Sequence, residues 1–509
     1  GFSSSVSWDW GLNLLETEAT DGSGNSSWDE RAVLAGDFLE YGASADAGIV
    51  AWLGEGEGGL DTLEAIGEGM VSASELDDYI PSPVYSDEEE SCYDPCGGWW
   101  GGCEICVTWY ALDLYVDNPS IGDVSMDLDP QSSGQLVATV TMNDPELDWE
   151  ADAVVLEVDY DGDGTVSADA ITVELTLEPS VDDGELVMDL TSTDVSTSGF
   201  DFDMDSWLYD AVEYFGVDVD GMVQGYMEDA LQDALEDELP GMMEETLQDL
   251  EISQSMELDG DTYTVTAEPS DVDVDDHGIT LTLATTFTTD TWRLDRTGSG
   301  SLFADSTAPS FSGSTGTAFD LGVDFLNQGL YAAWGGGLFR VQLTASELGV
   351  DSGSYSDMFS GLDELVLDAD PLLPPVVVPD EDGLLELQMG GMYVRLYDED
   401  AEEGEELVEA YVSAWVPLDL EASADDTLDP TIGEPTLSVF VASPQDSSMA
   451  IVETILETLL PPYIELYAAE ALDGVPIPTL DGFSLTGVSV YAAGTDLDYV
   501  ELYGELVEE

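Results

Sequence analysis

Residues 323–334 read VDFLNQGLYAAW, and this stretch decides the fold. The spacing of its apolar residues predicts a helix over Phe325–Leu338. About residues 295–317, immediately upstream, are rich in Ser, Thr and Gly, which is typical of a linker. The helix therefore opens a second domain, which we place at residues 318–509.

The second domain is predicted to be an antiparallel meander followed by a long helix. Apolar residues along Met449–Leu472 form one stripe, which predicts a long amphipathic helix. Alternating apolar and polar residues predict strands before and after it. These strands are expected at Leu362–Leu367, Leu384–Met389, Tyr393–Tyr397, Val408–Leu420, Thr436–Val441, Gly487–Tyr491 and Tyr499–Tyr503.

The first domain, at residues 46–294, repeats this order behind a loose leader or linker at residues 1–45. Apolar residues at three-to-four spacing predict a helix over Ala47–Ile80. A long amphipathic helix starts at Val219, ends or kinks at Pro240 and continues as Met242–Leu250. Strands are expected at Val107–Val116, Leu136–Met142, Val154–Tyr160, Ile171–Leu177, Leu186–Leu190, Thr262–Ala267 and Ile279–Phe287.

Both halves thus follow one plan of helix, meander, long helix and returning strands, which indicates an α+β duplication. The length of 509 residues supports two domains, since a single core stops growing at roughly 250–300 residues. An antiparallel sheet wrapped around an apolar helix buries that helix on its concave side. Where the wrap is incomplete, an apolar slot remains between helix and sheet.

Two motifs resemble those of the bactericidal/permeability-increasing protein-like (BPI/LBP/CETP) family of the tubular lipid-binding (TULIP) superfamily. Residues 323–334 closely resemble the helix that opens the C-terminal domain of that family. Residues 473–478, which read DGVPIP, and the following Phe483-Ser484-Leu485 are similar to the family's proline turn after its long helix. The helix Gln224–Leu250 fits the equivalent place in the N-terminal domain. The resemblance covers about residues 46–509.

The resemblance implies two TULIP domains joined pseudo-symmetrically into an elongated boomerang, each with a lipid pocket between its long helix and its curved sheet. It implies lipid contacts from the apolar stripes of the helices. In the N-terminal domain the candidate lipid-binding residues are Val219, Met222, Val223, Tyr226 and Ala230. In the C-terminal domain they are Phe325, Leu330, Trp334, Ile451, Ile455, Leu459, Tyr463 and Leu466.

The charge balance limits the partners of this protein. The chain has 113 acidic residues and five basic ones, all arginine, for a formal net charge of -108. Nucleic acid is excluded as a partner, because phosphate binding needs clustered Lys or Arg. The cationic tip of the bactericidal family member has no counterpart here. We therefore expect any bound lipid to be held by its acyl tails rather than by an anionic head group.

All four cysteines, Cys92, Cys96, Cys103 and Cys106, lie around one glycine-rich turn. Four thiolates can bind zinc, but disulfides are the better interpretation for a chain without signs of a reducing compartment. Three pairings are open. The nested one, Cys92–Cys106 with Cys96–Cys103, suits a hairpin. The family disulfide that ties the long N-terminal-domain helix to a strand has no counterpart in this chain.

Residues 159–164 read DYDGDG and resemble the start of a calcium loop. The oxygens of Asp159, Asp161 and Asp163 at alternate positions suit a hard cation. Ala170 stands where an EF-hand needs a bidentate Glu, so a plain hairpin turn is the competing interpretation. No cofactor is required by the sequence; calcium is the one ion that it suggests.

Catalysis finds little support in the sequence. His277, the only histidine, stands in the acidic turn Asp275-Asp276-His277-Gly278 and is predicted to be an exposed turn residue. No Gly-x-Ser-x-Gly elbow accompanies it. We expect a binding protein and not an enzyme.

The sequence therefore predicts an extracytoplasmic protein, secreted, periplasmic or surface-anchored, that binds or transfers phospholipid or another acyl lipid. It predicts no membrane-spanning segment, because every long apolar run is interrupted by Gly, Pro or Glu. The alternative is an acidic surface or matrix protein on the same scaffold, assembled through calcium. A homo-oligomer is compatible with either function.

Overall fold

A computed structural model gives the structure of this protein. It consists mostly of antiparallel sheet with four helices in the part of the chain that it describes. The structure describes residues 6–70, 85–93, 105–155, 158–203, 219–258, 260–296, 298–311, 313, 316–347, 364–379, 385–399, 406–423, 427–444, 449–472, 475–477, 480, 483–495 and 497–508.

The first half of the chain contains sixteen described strands and two helices. The helices are α1 (Leu60–Met70) and α2 (Val219–Gln248). The strands are β1 (Gly11–Thr20), β2 (Ser26–Ala35), β3 (Asp37–Leu39), β4 (Ala45–Gly54), β5 (Tyr85–Tyr93), β6 (Ile105–Ser120), β7 (Val124–Gln131), β8 (Gln135–Asn143), β9 (Glu146–Val155), β10 (Val158–Ser167), β11 (Ala170–Asp182), β12 (Glu185–Ser198), β13 (Asp201–Asp203), β14 (Ile252–Leu258), β15 (Asp261–Asp275) and β16 (Gly278–Thr289).

The second half repeats the order of the first. Its helices are α3 (Val323–Gly336) and α4 (Met449–Leu472). Its strands are β17 (Ser301–Phe303), β18 (Thr317–Gly322), β19 (Val341–Thr344), β20 (Leu365–Pro371), β21 (Val376–Pro379), β22 (Leu385–Asp398), β23 (Val408–Ala422), β24 (Leu428–Ile432), β25 (Thr436–Pro444), β26 (Phe483–Ala493) and β27 (Tyr499–Glu508). In both halves a strand and a helix are followed by a meander, a long helix and returning strands. The repeated order predicted from the sequence is confirmed.

One seven-stranded sheet, in the order β14-β15-β16-β4-β18-β27-β26, is built from both halves. We call it the central sheet. Its halves meet where β4 pairs with β18, with Ile49 opposite Leu321. A second seven-stranded sheet, β19 to β25, belongs to the second half, and we call it the C-terminal sheet. The first half adds a five-stranded and a four-stranded sheet.

The helix expected over Ala47–Ile80 is wrong in its first part, because Ala45–Gly54 is the strand β4. This strand lies inside the central sheet, and its residues Ile49–Leu53 are buried on both faces. A strand covered on both faces has a continuous apolar run, which periodicity alone does not separate from a buried helix. The helical part, α1, begins only at Leu60.

Residues 1–45 are not a loose leader where the structure describes them. The strands β1 and β2 form a hairpin, and Gly11 pairs with Ala35 at its open end. The hairpin lies on the C-terminal sheet, where the backbone N–H of Leu12 donates to Oε1 of Gln388 at 2.7 Å. The start of the chain therefore packs on the last domain, at a sequence distance of 376 residues.

Glutamates of α1 and α2 cover the two edges of the four-stranded sheet β12-β11-β8-β7. The Glu64 carboxylate accepts a hydrogen bond from the Leu128 backbone N–H at 2.7 Å, on the edge strand β7. The Glu244 carboxylate accepts one from Met188 at 2.7 Å, on the opposite edge strand β12. The helix α2 runs through Pro240 without ending there. These contacts satisfy backbone donors that an uncovered sheet edge leaves free.

The helix α3 is buried along its whole length, from Val323 to Gly336. It packs against β16 and β4 of the central sheet, against β17 and β21, and against α4. It ends at Gly337, whose φ of 90° is the left-handed conformation that glycine adopts without strain. The stretch that opens the second domain is thus the centre of the molecule. None of the four described helices is both long and apolar enough to cross a membrane.

Candidate functional site: a cavity between two sheets

A cavity of about 690 Å³ lies between the C-terminal sheet and the last two strands of the central sheet. Its volume lies within the range of about 300–1,000 Å³ that is typical of small-molecule sites. The lining residues come from β22, β23 and β24 on one side and from β26 and β27 on the other. They are Leu385, Leu418, Asp419, Leu420, Glu421, Thr431, Val488, Val490, Tyr491, Ala492, Tyr499 and Val500.

The apolar wall of this cavity follows from strand alternation. Leu418 and Leu420 are two residues apart on β23, so both point to the buried face of the C-terminal sheet. Val500 is buried on the facing strand β27. Val490 and Tyr491 of the edge strand β26 are 38% and 55% exposed, so they line the open side of the cavity. Polar and apolar groups therefore share the lining of the cavity, and its accessible apolar surface comes mainly from β26.

Tyr499 provides a rigid part of the wall. Its side chain is buried, and its hydroxyl donates a hydrogen bond to the Ala47 carbonyl at 2.8 Å. Burial raises the pKa of the Tyr499 phenol above its usual value, with smaller contributions from Asp498, Asp324 and Asp320. The phenol therefore stays neutral and keeps the ring in place across the physiological pH range.

A buried carboxyl group, Asp320 of β18, lies beside this wall. Asp320 is fully buried, and neither of its oxygens has a hydrogen-bond partner among the described residues. It stands directly opposite Glu501 of β27, the residue next to Val500. Burial, followed by the negative charge of Glu501, raises the pKa of Asp320 to about 8. At neutral pH the carboxyl group is therefore mostly protonated.

The Asn-Gln pair of α3 connects the two sheets that flank the helix. The Asn327 side chain donates to the Val377 carbonyl at 3.1 Å and accepts from the Val377 N–H at 2.7 Å, on β21. The neighbouring Gln328 donates to the Thr285 carbonyl at 3.0 Å, on β16, and accepts from the Thr285 hydroxyl at 2.9 Å. Two adjacent polar side chains thus hold α3 to the C-terminal sheet and to the central sheet.

Six of the eight lipid-binding residues predicted on α3 and α4 lie in the buried core. Leu466 is 53% exposed, and the side chain of Ile451 lies outside the described residues. Tyr463 donates from its hydroxyl to the Phe339 carbonyl at 2.7 Å. The buried ones are Phe325, Leu330, Trp334, Ile455, Leu459 and Tyr463. None of these residues lines the cavity, and their contact with lipid stays a prediction.

The candidates on α2 are also distributed over its core face. Val223 is buried, Ala230 is nearly so, and Tyr226 is half-buried. The side chains of Val219 and Met222 lie outside the described residues. The sequence predicted lipid contacts on the helices and none of the strand residues that line the cavity. Alternation predicts that β23 and β26 are strands, but it carries no information on which strand faces which.

The acidic sequence DYDGDG forms part of the strand β10 and not a turn. It pairs with β9, so that Asp161 stands opposite Asp152 and Gly164 opposite Trp149. In a strand, residues two apart are separated by about 6.6 Å, and Asp161 and Asp163 point to solvent from one face. The hairpin turn expected here is wrong, because the strand pairing continues through the segment. Calcium binding by Asp159, Asp161 and Asp163 stays a prediction.

His277 lies in the turn between β15 and β16, as predicted. Its Nδ1 is 3.5 Å from Asp275 and 3.1 Å from Asp276, and its backbone N–H donates to Asp275. The three side chains form a small cluster that is exposed or half-exposed. The contacts of His277 are therefore those of a turn residue.

A disulfide joins Cys92 of β5 to Cys106 of β6 at directly paired positions. This is the outer bond of the nested pairing that the sequence favours. Cys96 and Cys103 lie outside the described residues. The bond closes the hairpin β5–β6 near its tip.

The structure is similar to the crystal structure of lipopolysaccharide binding protein. The two align with a TM-score of 0.51 and 13% sequence identity, over 91% of this chain and 99% of that chain. Two structures of P47 of Clostridium botulinum, from E1 and A2, cover 91% of this chain at 8% and 10% identity. They cover 100% and 97% of their own chains, and their TM-scores are 0.27 and 0.30.

No protein-family model matches the chain, and no curated protein matches it. At 13% identity the likeness to lipopolysaccharide binding protein establishes the fold alone. The fold of this protein is thus like that of a solved structure that aligns over most of both chains.

Proposed function

We propose that this protein binds acyl lipids and takes their hydrocarbon chains into the cavity between the C-terminal sheet and β26–β27. The observation that carries this proposal is the cavity itself, whose lining includes the accessible apolar side chains of Val488, Val490, Tyr491 and Ala492 on β26. The fold supports it, because the similar solved structure is that of a protein named for binding lipopolysaccharide. Membership of the BPI/LBP/CETP family, with its pseudo-symmetric boomerang, belongs to this proposal.

The driving force is the removal of methylene groups from water. Each buried methylene contributes about 0.8 kcal/mol, so ten of them contribute about 8 kcal/mol before the cost of association is subtracted. No charged contact is needed for a lipid to bind with this driving force. Exchange occurs through the open side at β26, where Val490 and Tyr491 are accessible.

We place this lipid binding outside the cytoplasm, and we propose binding or transfer rather than catalysis. The disulfide Cys92–Cys106 supports the location, because disulfides persist in oxidising compartments. The position of His277 in a surface turn supports a binding role, since it lies apart from the lining residues of the cavity.

The test fills the cavity with a large side chain. We expect Ala492→Trp to abolish or strongly weaken saturable binding of a fluorescent acyl probe, because the indole occupies the space of the chain. Ala19→Trp, the same substitution at an exposed position of β1, should bind like the wild type. Extraction and mass spectrometry of the purified wild-type protein should recover acyl lipid in near-stoichiometric amount. Equal probe binding by both variants, or no saturable binding by the wild type, contradicts the proposal.

A further inference from the structure

Two carboxylates and a hydroxyl lie together on the polar part of the cavity lining. Asp419 and Glu421 are both exposed and two residues apart on β23, so they lie on one face of the strand. Thr431 of β24 stands directly opposite Asp419, and Asp429 stands opposite Glu421. The polar groups of the lining therefore belong to one patch, which we call the acidic rim.

An exposed aromatic ring lines the same cavity from the facing strand. Tyr491 of β26 has 55% of its surface accessible, although it stands in a paired strand. The face of an aromatic ring attracts a cation, and quaternary ammonium groups are bound in proteins by such rings. Carboxylates on one side and a Tyr ring on the other are the groups that recognise an organic cation.

None of the cavity-lining residues that the structure describes is basic. Four of the five arginines form ion pairs elsewhere, and Arg340 is exposed just before β19. The pairs are Arg31–Asp29, Arg293–Asp261, Arg296–Asp370 and Arg395–Asp368. The net charge of -108 adds a field that repels anions from the whole molecule and concentrates cations near it. Both the local groups and the long-range field act against an anionic polar end.

We infer that the cavity selects an acyl lipid whose polar end carries a positive charge, such as an amine or a quaternary ammonium group. The inference rests on the proposed lipid binding and names the class of lipid. The chain lies along the apolar residues Val488, Val490 and Ala492 of β26, and the cationic end stays between Asp419, Glu421 and Tyr491. Burial of the acyl tail provides most of the binding free energy, and the acidic rim determines the selectivity for the head group.

Three probes with the same chain separate the contributions of tail and head. Dodecyltrimethylammonium, 1-dodecanol and dodecyl phosphate are titrated into the full-length protein by calorimetry, each below its micellar concentration and at physiological ionic strength. We expect dodecyltrimethylammonium to bind about tenfold tighter than dodecanol, because exposed ion pairs and a cation–π contact are each worth a few-fold in affinity. Dodecyl phosphate should bind most weakly.

A double variant separates the acidic rim from the field of the whole protein. Asp419→Asn with Glu421→Gln removes two of 113 acidic groups, so the long-range field is almost unchanged. We expect this variant to lose most of the preference for dodecyltrimethylammonium and to keep the affinity for dodecanol. The matched control is Glu174→Gln with Asp194→Asn, an exposed pair at directly opposed positions of β11 and β12. The control should keep the preference.

Each result supports or overturns one of the two proposals. Equal affinity for dodecyltrimethylammonium and dodecanol, with dodecanol binding that Ala492→Trp abolishes, overturns the head-group inference and leaves lipid binding standing. A preference that survives in the Asp419 and Glu421 double variant also overturns the inference, because the general field then explains it. Absence of saturable binding for all three probes contradicts the proposed function itself.

Discussion

Asn327 and Val377 exchange two hydrogen bonds, so that one side chain of α3 pairs with both backbone groups of a strand residue in the C-terminal sheet. Both residues are buried. A side-chain amide is the group that can serve a backbone N–H and a carbonyl at once. Asn327 thus takes the place of a neighbouring strand at this point of β21.

The first prediction concerns this pair. Asn327→Ala should destabilise the attachment of β21 to α3 by about 2–4 kcal/mol, because a buried donor and a buried acceptor each lose their partner at a cost of about 1–3 kcal/mol. A chain of this length does not unfold as one cooperative unit, so the effect is best measured locally. Amide hydrogen exchange over Val376–Pro379 should become faster.

The control for this prediction is Asn143→Ala. The Asn143 side chain donates one hydrogen bond, to the exposed Asp123 carbonyl at 3.0 Å, where water can replace it. Exchange near residue 143 should change little. Unchanged protection of Val376–Pro379 in Asn327→Ala contradicts the structural role assigned to the pair.

The second prediction concerns the pH dependence that Asp320 causes. Its folded pKa of about 8 lies above the ordinary value of 3.8, so its contribution to stability is fully present below about pH 4 and is lost as the pH rises through 8. Asp320→Asn, which cannot ionise, should match the wild type at about pH 4 and below. Between about pH 4 and pH 8 the wild-type carboxyl is protonated in the folded state and ionised in the unfolded state. Over this interval the variant should gain about 1.4 kcal/mol of stability relative to the wild type for each pH unit.

The urea midpoint of the transition that unfolds the central sheet, measured for both proteins at pH 4, 6 and 8, tests this expectation. The control is Asp189→Asn, which removes an exposed carboxyl of β12 and should give the pH slope of the wild type. Parallel pH profiles for the wild type and Asp320→Asn contradict the assignment of a buried, protonated Asp320.

The third prediction concerns the covered edge of β7. Glu64→Ala should cost about 1–2 kcal/mol and speed amide exchange at Leu128, because the backbone N–H loses a carboxylate acceptor. Glu64→Gln keeps a side-chain carbonyl oxygen at the same distance from the backbone, so it should retain most of the protection of the Leu128 amide from exchange. If Glu64→Gln and Glu64→Ala behave alike, the hydrogen bond does not protect the edge.

The fourth prediction concerns the disulfide. Peptide mapping without reduction should find Cys92 linked to Cys106, and the nested pairing then leaves Cys96 to join Cys103. Replacing Cys92 and Cys106 by Ser should cost about 3 kcal/mol, the chain-entropy value for a loop of this length. The loss should appear as faster exchange in β5 and β6. A Cys92–Cys96 link would contradict the observed pairing.

The helices α3 and α4 could be predicted closely from the sequence, and the central strand β4 could not. The expected helix Met449–Leu472 has the bounds of α4, and Phe325–Leu338 lies within two residues of α3 at each end. Both have clear periodicity and defined ends. In β4, burial on both faces removes the alternation that marks a strand, so helical spacing and a continuous apolar run become indistinguishable.

By itself the sequence determined the alternation of each strand, the two long helices, the repeated order of elements and a charge that opposes anionic partners. These properties depend on neighbouring residues within one helix or strand, or on the overall composition of the chain. Only the tertiary structure decided that the hairpin of Leu12 packs on Gln388, that Asp320 faces Glu501 and that β23 faces β26 across a cavity. Such contacts join residues far apart in the chain, and alternation states that a side chain is buried without stating what it is buried against.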